Sequence, residues 1–355
     1  MNSIVIPKIF RFIKRKSQAL LGASLYPLEH TLQLLSARPL ELHLELTNIC
    51  NAKCIFCPYP LQQRAENTMS DDIFYRAVDD FIRIGGGRVG LTPIVGDSLI
   101  DDQFLERVIY LRKQPCIREI LLTTNGILLD RFGIDAILTS GLSEITISTS
   151  GFDSQSYAAI YRSTQYERMR KNVALLVKRN VEMGNKVKIK ISFRSYRSEN
   201  QLLSDPDFQE IKKFNPDLDI AVAFSNGGDR IKELIPPMKF RLSRPRKYEA
   251  CVNLYHGPTV LWDGTVMACF CLTSMDAGHW LEIGNITKNS LLEMWTGDKL
   301  KEIRAQFSNN KKLNPVCEKC DAYCNLDLFR RNEGRERALI NETLLKSLYA
   351  TKDLK

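Results

Sequence analysis

Cys50-Asn-Ala-Lys-Cys54-Ile-Phe-Cys57 places three cysteines within eight residues, in the spacing C-x3-C-x2-C. They follow Glu41-Leu-His-Leu-Glu-Leu-Thr47, whose alternation reads as a strand. The thiols therefore belong on the loop that leaves the strand's C-terminal end. Three thiolates hold three irons of a [4Fe–4S] cube that usually takes four cysteines, so one iron stays open. An open coordination site is where a metal does chemistry. Structural zinc takes four ligands, and no fourth Cys or His lies close by in the chain. Three thiols cannot all pair as disulfides, and no secretory signal precedes them.

The motif, with Phe56 before its last cysteine, resembles that of the radical S-adenosylmethionine (SAM) superfamily. The resemblance implies that Cys50, Cys54 and Cys57 hold a catalytic [4Fe–4S] cluster whose open iron binds the amino and carboxylate groups of SAM.

From Glu41 onward strands and helices alternate. Strand-like stretches are 41–47, 88–94, 118–124, 144–149, 187–194 and 218–224. The clearest helix starts at the N-cap Ser70, with Asp71 and Asp72 in its first turn. Ile73, Phe74, Ala77, Val78, Phe81 and Ile82 then recur at helical spacing, and Gly85-Gly-Gly87 stops the helix. Residues 101–114 and 167–180 show the same period. Repeated βα units predict an α/β fold with a parallel sheet and right-handed crossovers. Six of them match the partial, TIM-like (β/α)6 barrel of the superfamily, with its site at the C-terminal ends of the strands.

The resemblance then assigns SAM contacts to those ends. Val95-Gly96-Asp97 stands where the family usually has Gly-Gly-Glu-Pro. It departs from that pattern but keeps a carboxylate, able to accept a hydrogen bond from the methionine ammonium. Thr124-Asn125-Gly126 is similar to the family's Thr-Asn-Gly. Ser148-Thr-Ser150-Gly151-Phe-Asp153 is similar to its Ser-x-Ser-Gly-x-Asp, which points Ser148 at the ribose and adds Ser150. Arg194 ends the fifth strand, placed to pair with the SAM carboxylate or anchor substrate. Residues 221–224 hold the position near adenine. Bare turns at Gly-Asp and Asn-Gly and an ordinary rim arginine are the bland readings of the same residues.

After Leu234-Ile-Pro-Pro237 the texture changes. Cys251, the hairpin signal Asp263-Gly264, Cys269, a helix over 290–302 and Cys317-x2-Cys320-x3-Cys324 follow. Four thiolates so spaced suit a fully ligated cluster or a zinc ion. Cys251-x12-Gly264-x4-Cys269 resembles the opening of the SPASM/twitch auxiliary-cluster domain. Its spacing is close to the single-cluster version of the 2-deoxy-scyllo-inosamine dehydrogenase type. That implies an auxiliary [4Fe–4S] cluster on Cys251, Cys269, Cys317 and Cys320. Cys116 reads as a buried structural residue. Cys324 is a substitute ligand, and Cys271 is either inert or a hydrogen-atom donor.

These readings divide the chain into a basic extension (1–40), the barrel (41–235), the auxiliary domain (236–325) and a C-terminal helix (326–355). The net charge of +9 is uneven: residues 1–40 hold six Lys and Arg against Glu29 alone. The remainder is nearly balanced, which argues against a nucleic-acid substrate. Residues 4–21 form a cationic amphipathic pattern, suited either to packing on the barrel or to peripheral contact with an anionic membrane. No apolar run reaches the ~18 residues of a membrane span. Ten cysteines without a signal peptide suggest the reducing cytoplasm. A basic surface suits a small acidic flavodoxin or ferredoxin as electron donor. The expected function is radical oxidation of a secondary alcohol of a sugar or aminocyclitol. Epimerisation of a sugar or peptide centre and peptide maturation are the alternatives.

Overall fold

The computed structural model describes residues 28–91, 94–221, 223–242, 247, 249–308 and 312–326. The cationic pattern of 4–21 and the C-terminal helix lie outside them. Helix α1 (Leu28–Ala37) leads into β1 (Glu41–Leu44). Five βα repeats follow: α2 (Asp71–Arg83), β2 (Gly87–Leu91), α3 (Phe104–Arg112), β3 (Ile117–Thr124), α4 (Ile134–Thr139), β4 (Glu144–Thr149), α5 (Ser154–Tyr161), α6 (Tyr166–Glu182), β5 (Lys188–Phe193), α7 (Glu199–Leu203), α8 (Pro206–Lys212) and β6 (Asp217–Ile220). The later part contributes α9 (Asn253–His256), β7 (Thr259–Val260), β8 (Thr265–Met267), β9 (Glu282–Asn285), α10 (Leu291–Thr296), α11 (Asp298–Ser308) and α12 (Pro315–Lys319).

The nine strands among the described residues form one sheet in the order β6-β5-β4-β3-β2-β1-β7-β8-β9. β1 to β6 are parallel throughout. β6 does not return to β1, so the barrel stays open. β7 joins β1 in parallel, and β7, β8 and β9 are antiparallel. The second cysteine-rich segment thus extends the barrel's own sheet instead of starting another.

Local signals explain most element ends. Ser70 accepts from the Ile73 N–H at the start of α2, and Phe74, Ala77, Val78 and Phe81 are buried on its inner face. The Asp263-Gly264 turn joins β7 to β8, with Gly264 at φ +83°. The helix expected over 290–302 is two helices. Ser290 and Glu293 form a reciprocal cap on α10, and the chain turns extended at Gly297 before α11. β1 is shorter than its alternation suggests: pairing with β2 and β7 ends at Leu44, and Thr47 instead bridges Thr68. α1 is tied to α10 by the Trp295 indole, which donates to the Leu35 carbonyl at 3.0 Å.

The open side between β1 and β6 faces the auxiliary segment, which touches both margins. On one side β7 pairs with β1. On the other, Asp321, next to Cys320, accepts from the Ser225 hydroxyl (2.7 Å) and the Asn226 N–H (2.6 Å) in the loop after β6.

Candidate active site and auxiliary cysteine centre

The loop from β1 carries Cys50, Cys54 and Cys57, all half-buried. The end of α5 pins it: Lys53 and Ile55 N–H groups donate to the Tyr161 and Ile160 carbonyls, and Cys57 N–H donates to the Cys54 carbonyl. Burial, then the Asp97 carboxylate, push the Cys50 thiol up to about 12. Burial raises Cys57 to about 11, and burial followed by the Cys57 and Cys50 charges raises Cys54 well above the ordinary range. Three soft donors that make one another's anionic forms costly need a cation between them. Thiolates suit iron–sulfur clusters, so this donor set fits the expected cluster.

Around the loop, Phe56 lies edge-on to Tyr161 and beside Phe224, both at 5.5 Å between centroids. The Arg194 guanidinium stands 5.6 Å over the Phe56 ring. Arg194 Nε donates to the Ser148 hydroxyl at 3.0 Å, and that hydroxyl lies 2.7 Å from the Tyr161 phenol. The structure therefore brings Phe56, Ser148 and Arg194 into one group at the ends of β4 and β5. Ser150 is fully buried beside them, and its hydroxyl has no partner.

Gly96 (φ +105°) lets the loop after β2 cross the cysteine loop; a Cβ there would lie 2.5 Å from the Thr47 carbonyl oxygen. Asp97 is 2% exposed and turned into the protein. It accepts from Leu99 N–H (3.1 Å), the Thr124 hydroxyl (2.8 Å) and Asn125 N–H (2.9 Å). A ligand ammonium would compete with these three donors, so the geometry gives Asp97 a positioning part. Asn125 in turn donates to the Asn51 side chain at 2.5 Å, linking the β3 end to the cysteine loop. Sequence reading passed over Tyr157 and Tyr161. Their rings stack at 5.0 Å, and the buried Tyr157 hydroxyl is unpartnered. Their i, i+4 spacing after the Asp153 cap was the available signal.

In the auxiliary segment a cavity is lined by Cys251, Cys269, Cys271, Cys317 and Cys320, with Leu281, Phe307 and Tyr323. Cys251 enters through a bridge to Asn325, Cys269 follows β8, and Cys317 and Cys320 lie on and just after α12. The Asn314 side chain caps that helix at the Cys317 N–H, 2.9 Å away. Burial pushes Cys251 up to about 12 and Cys317 up to about 11. A cavity walled by neutral, buried thiols is what a thiolate-bound cluster would fill. Cys271 belongs to this wall: its sulfur is 3.2 Å from that of Cys269. The sequence offered no spacing rule to place it there. Cys324 gives its carbonyl to the Val252 N–H beside Cys251.

Comparison with known proteins agrees with this arrangement. Residues 44–190 match the radical SAM superfamily, and residues 251–321 match an iron–sulfur cluster-binding domain, SPASM. Curated relatives include GTP 3',8-cyclases of Petrotoga mobilis (27% identical over 45% of this chain and 49% of that protein) and Mannheimia succiniciproducens (27%, 52% and 52%). The chain thus spans about half the length of these relatives. Among solved structures it resembles BtrN in complex with AdoMet and 2-DOIA (TM-score 0.54, 15% identity, 79% of this chain and 92% of that one). It also resembles Streptococcus suis SuiB bound to precursor peptide SuiA (TM-score 0.60, 15% identity, 84% and 75%). Among the described residues no helix is long and apolar enough to cross a membrane. The chain carries a radical SAM domain over residues 44–190 and a SPASM iron–sulfur cluster-binding domain over residues 251–321, and these domains imply SAM, a SAM-binding [4Fe–4S] cluster and auxiliary iron–sulfur binding.

Proposed function

We propose that this radical SAM enzyme is an oxidoreductase that converts a secondary alcohol of a sugar or aminocyclitol to a ketone. The observation that carries this reading is the cavity ringed by Cys251, Cys269, Cys317 and Cys320. Four protein thiolates leave an iron–sulfur cluster no open corner for substrate, and suit it to storing and passing an electron. When bound, SAM and the two clusters supply hydrogen-atom abstraction and one-electron transfer. In balance, one secondary alcohol and one SAM give one ketone, one methionine, one 5′-deoxyadenosine and one proton. The carbinol hydrogen ends on 5′-deoxyadenosine, the hydroxyl proton leaves to solvent, and the electron spent on SAM is recovered from the substrate.

In this reading Cys50, Cys54 and Cys57 hold the SAM-binding cluster and Cys251, Cys269, Cys317 and Cys320 the auxiliary one. Ser148 and Arg194 orient SAM by its ribose and carboxylate, helped by Asn125 and Ser150. Gly96 and Asp97 fix the loop that meets the methionine end. Phe56, Tyr161 and Phe224 keep water from that end of the site, which a radical reaction requires. The domain limits 41–235 and 236–325 go with this division of labour. A small acidic flavodoxin or ferredoxin supplies the electron, in the cytoplasm.

Anaerobically reconstituted enzyme with a reductant should convert one member of a sugar and aminocyclitol panel to ketone, one for one with 5′-deoxyadenosine. A second reading, modification of a peptide, is favoured by the likeness to SuiB bound to its precursor peptide. GTP and a peptide encoded beside the gene belong in the same assay. Turnover of either, with no ketone from the panel, replaces the oxidoreductase reading.

A further inference from the structure

Glu41 and His43 share one face of β1, opposite Leu42 and Leu44, and their register partners on β2 are Arg88 and Gly90. His256, at the end of α9, reaches the same place. Its carbonyl accepts from the Leu40 N–H at 3.2 Å, and Gly257 passes so close to β1 that a Cβ there would collide with the Glu41 carbonyl oxygen. One ligand atom from each of Glu41, His43 and His256 falls within 4.8 Å of the others. Glu41 Oε2 is 3.3 Å from His256 Nε2, and Glu41 Oε1 is 3.6 Å from His43 Nε2.

Two features make this more than a polar contact. Glu41 and His43 are 3% and 6% exposed, yet Glu41 Oε2 and His43 Nε2 have no hydrogen-bond partner. The neighbouring strand also leaves room: a Cβ on Gly90 would stand 2.7 Å from His43 Nδ1 and 3.3 Å from Glu41 Oε1. The Phe270 ring, stacked on His43 at 4.1 Å, fixes the imidazole plane. Arg88 lies behind the carboxylate, 3.6 Å from Glu41 Oε2 and 3.2 Å from Glu119.

We propose that Glu41, His43 and His256 bind one divalent transition-metal ion of the zinc class, at the seam between the barrel and the auxiliary domain. Two imidazoles and a carboxylate are a borderline N/O donor set that zinc takes in tetrahedral geometry, with water in the fourth position. Arg88 supplies the outer contact that ligating carboxylates usually have. The site contains no sulfur and is separate from both cysteine groups. By the usual order its affinity for zinc exceeds that for ferrous iron, so added zinc displaces iron taken up there during cluster loading. The inference is independent of which alcohol, peptide or nucleotide the enzyme acts on.

The test uses holoenzyme carrying both clusters, incubated with one equivalent of zinc chloride and desalted. Elemental analysis should find about one zinc per chain. X-ray absorption at the zinc edge should show nitrogen and oxygen ligands only, with no sulfur shell near ~2.3 Å. His256→Ala changes a residue whose side chain is 20% exposed and should not disturb the core. It should lower retained zinc at least tenfold while cluster absorption stays at the wild-type level. Glu41→Gln, which keeps the side chain's shape, should do the same. Absence of retained zinc, a zinc–sulfur shell, or full retention in either variant overturns the proposal.

Discussion

Arg194 Nε donates to the Ser148 hydroxyl across 3.0 Å, joining the ends of β5 and β4 at the point where the Phe56 ring from the cysteine loop arrives. The guanidinium uses one nitrogen for this bond and lies over an aromatic face, which holds its plane steady. Its other nitrogens stay available to a planar carboxylate.

Arg194→Ala therefore should weaken SAM binding without changing cluster iron. A charge-assisted hydrogen bond contributes about 1.5–3 kcal/mol, so the SAM Kd should rise roughly 10- to 100-fold. Arg194→Lys should recover only part of this, because an ammonium lacks the fork and the flat face. Equilibrium dialysis with labelled SAM checks both, and an unchanged Kd in Arg194→Ala removes Arg194 from the SAM site.

Asp97 separates two roles. Its carboxylate serves Leu99, Thr124 and Asn125 in a buried corner. Asp97→Ala leaves three donors without an acceptor and should cost on the order of 3 kcal/mol or more of folding stability. Asp97→Asn keeps an acceptor oxygen and should cost less. Urea unfolding of both variants measures this. If SAM affinity falls in Asp97→Ala while stability does not move, the residue binds ligand directly instead of holding the loops.

Much of this site was legible in the chain. The strand that delivers the thiols, Ser70 as a cap and the Asp263-Gly264 turn are local signals, fixed by periodicity and by turn and cap chemistry, whereas Ser148 near the end of β4 was singled out by the family resemblance alone. What escaped depends on distant segments meeting. The barrel's parallel sheet continues through β7 because residues 259–260 pair with 43–44, a separation no local pattern records. Cys271 and Cys320 meet on one cavity for the same reason. His43 reads as an ordinary polar position of the alternation until His256 and Phe270 stand beside it.

Cys271 makes the auxiliary ligand set testable. Five cysteines line a cavity in which a four-iron cluster needs four. With Cys251, Cys269, Cys317 and Cys320 as ligands, Cys317→Ala should lose the auxiliary cluster, about four irons of about eight per chain. Cys54→Ala should lose the other cluster and all SAM cleavage. Cys271→Ala should keep both clusters, with a shifted auxiliary potential because a sulfur contact at 3.2 Å from Cys269 is gone. Loss of four irons in Cys271→Ala makes Cys271 a ligand in place of one of the four.

The thiols also set a pH dependence for the metal-free protein. Burial raises Cys57 and Cys317 to about 11 and Cys50 and Cys251 to about 12. Unfolded thiols titrate near ~8.5. Above that pH the unfolded chain loses protons that the folded chain keeps, so stability falls as pH rises. The contribution is complete below pH ~8.5 and disappears through the folded values, between about 11 and 12. Urea unfolding of the metal-free protein should therefore show a falling midpoint from pH ~8.5 upward. At pH 8 its folded thiols should react with iodoacetamide on the order of 100-fold more slowly than those of the denatured chain, since the thiolate is the nucleophile. Equal alkylation rates in the two states would mean the cysteine groups are open to solvent, contrary to the buried centres described above.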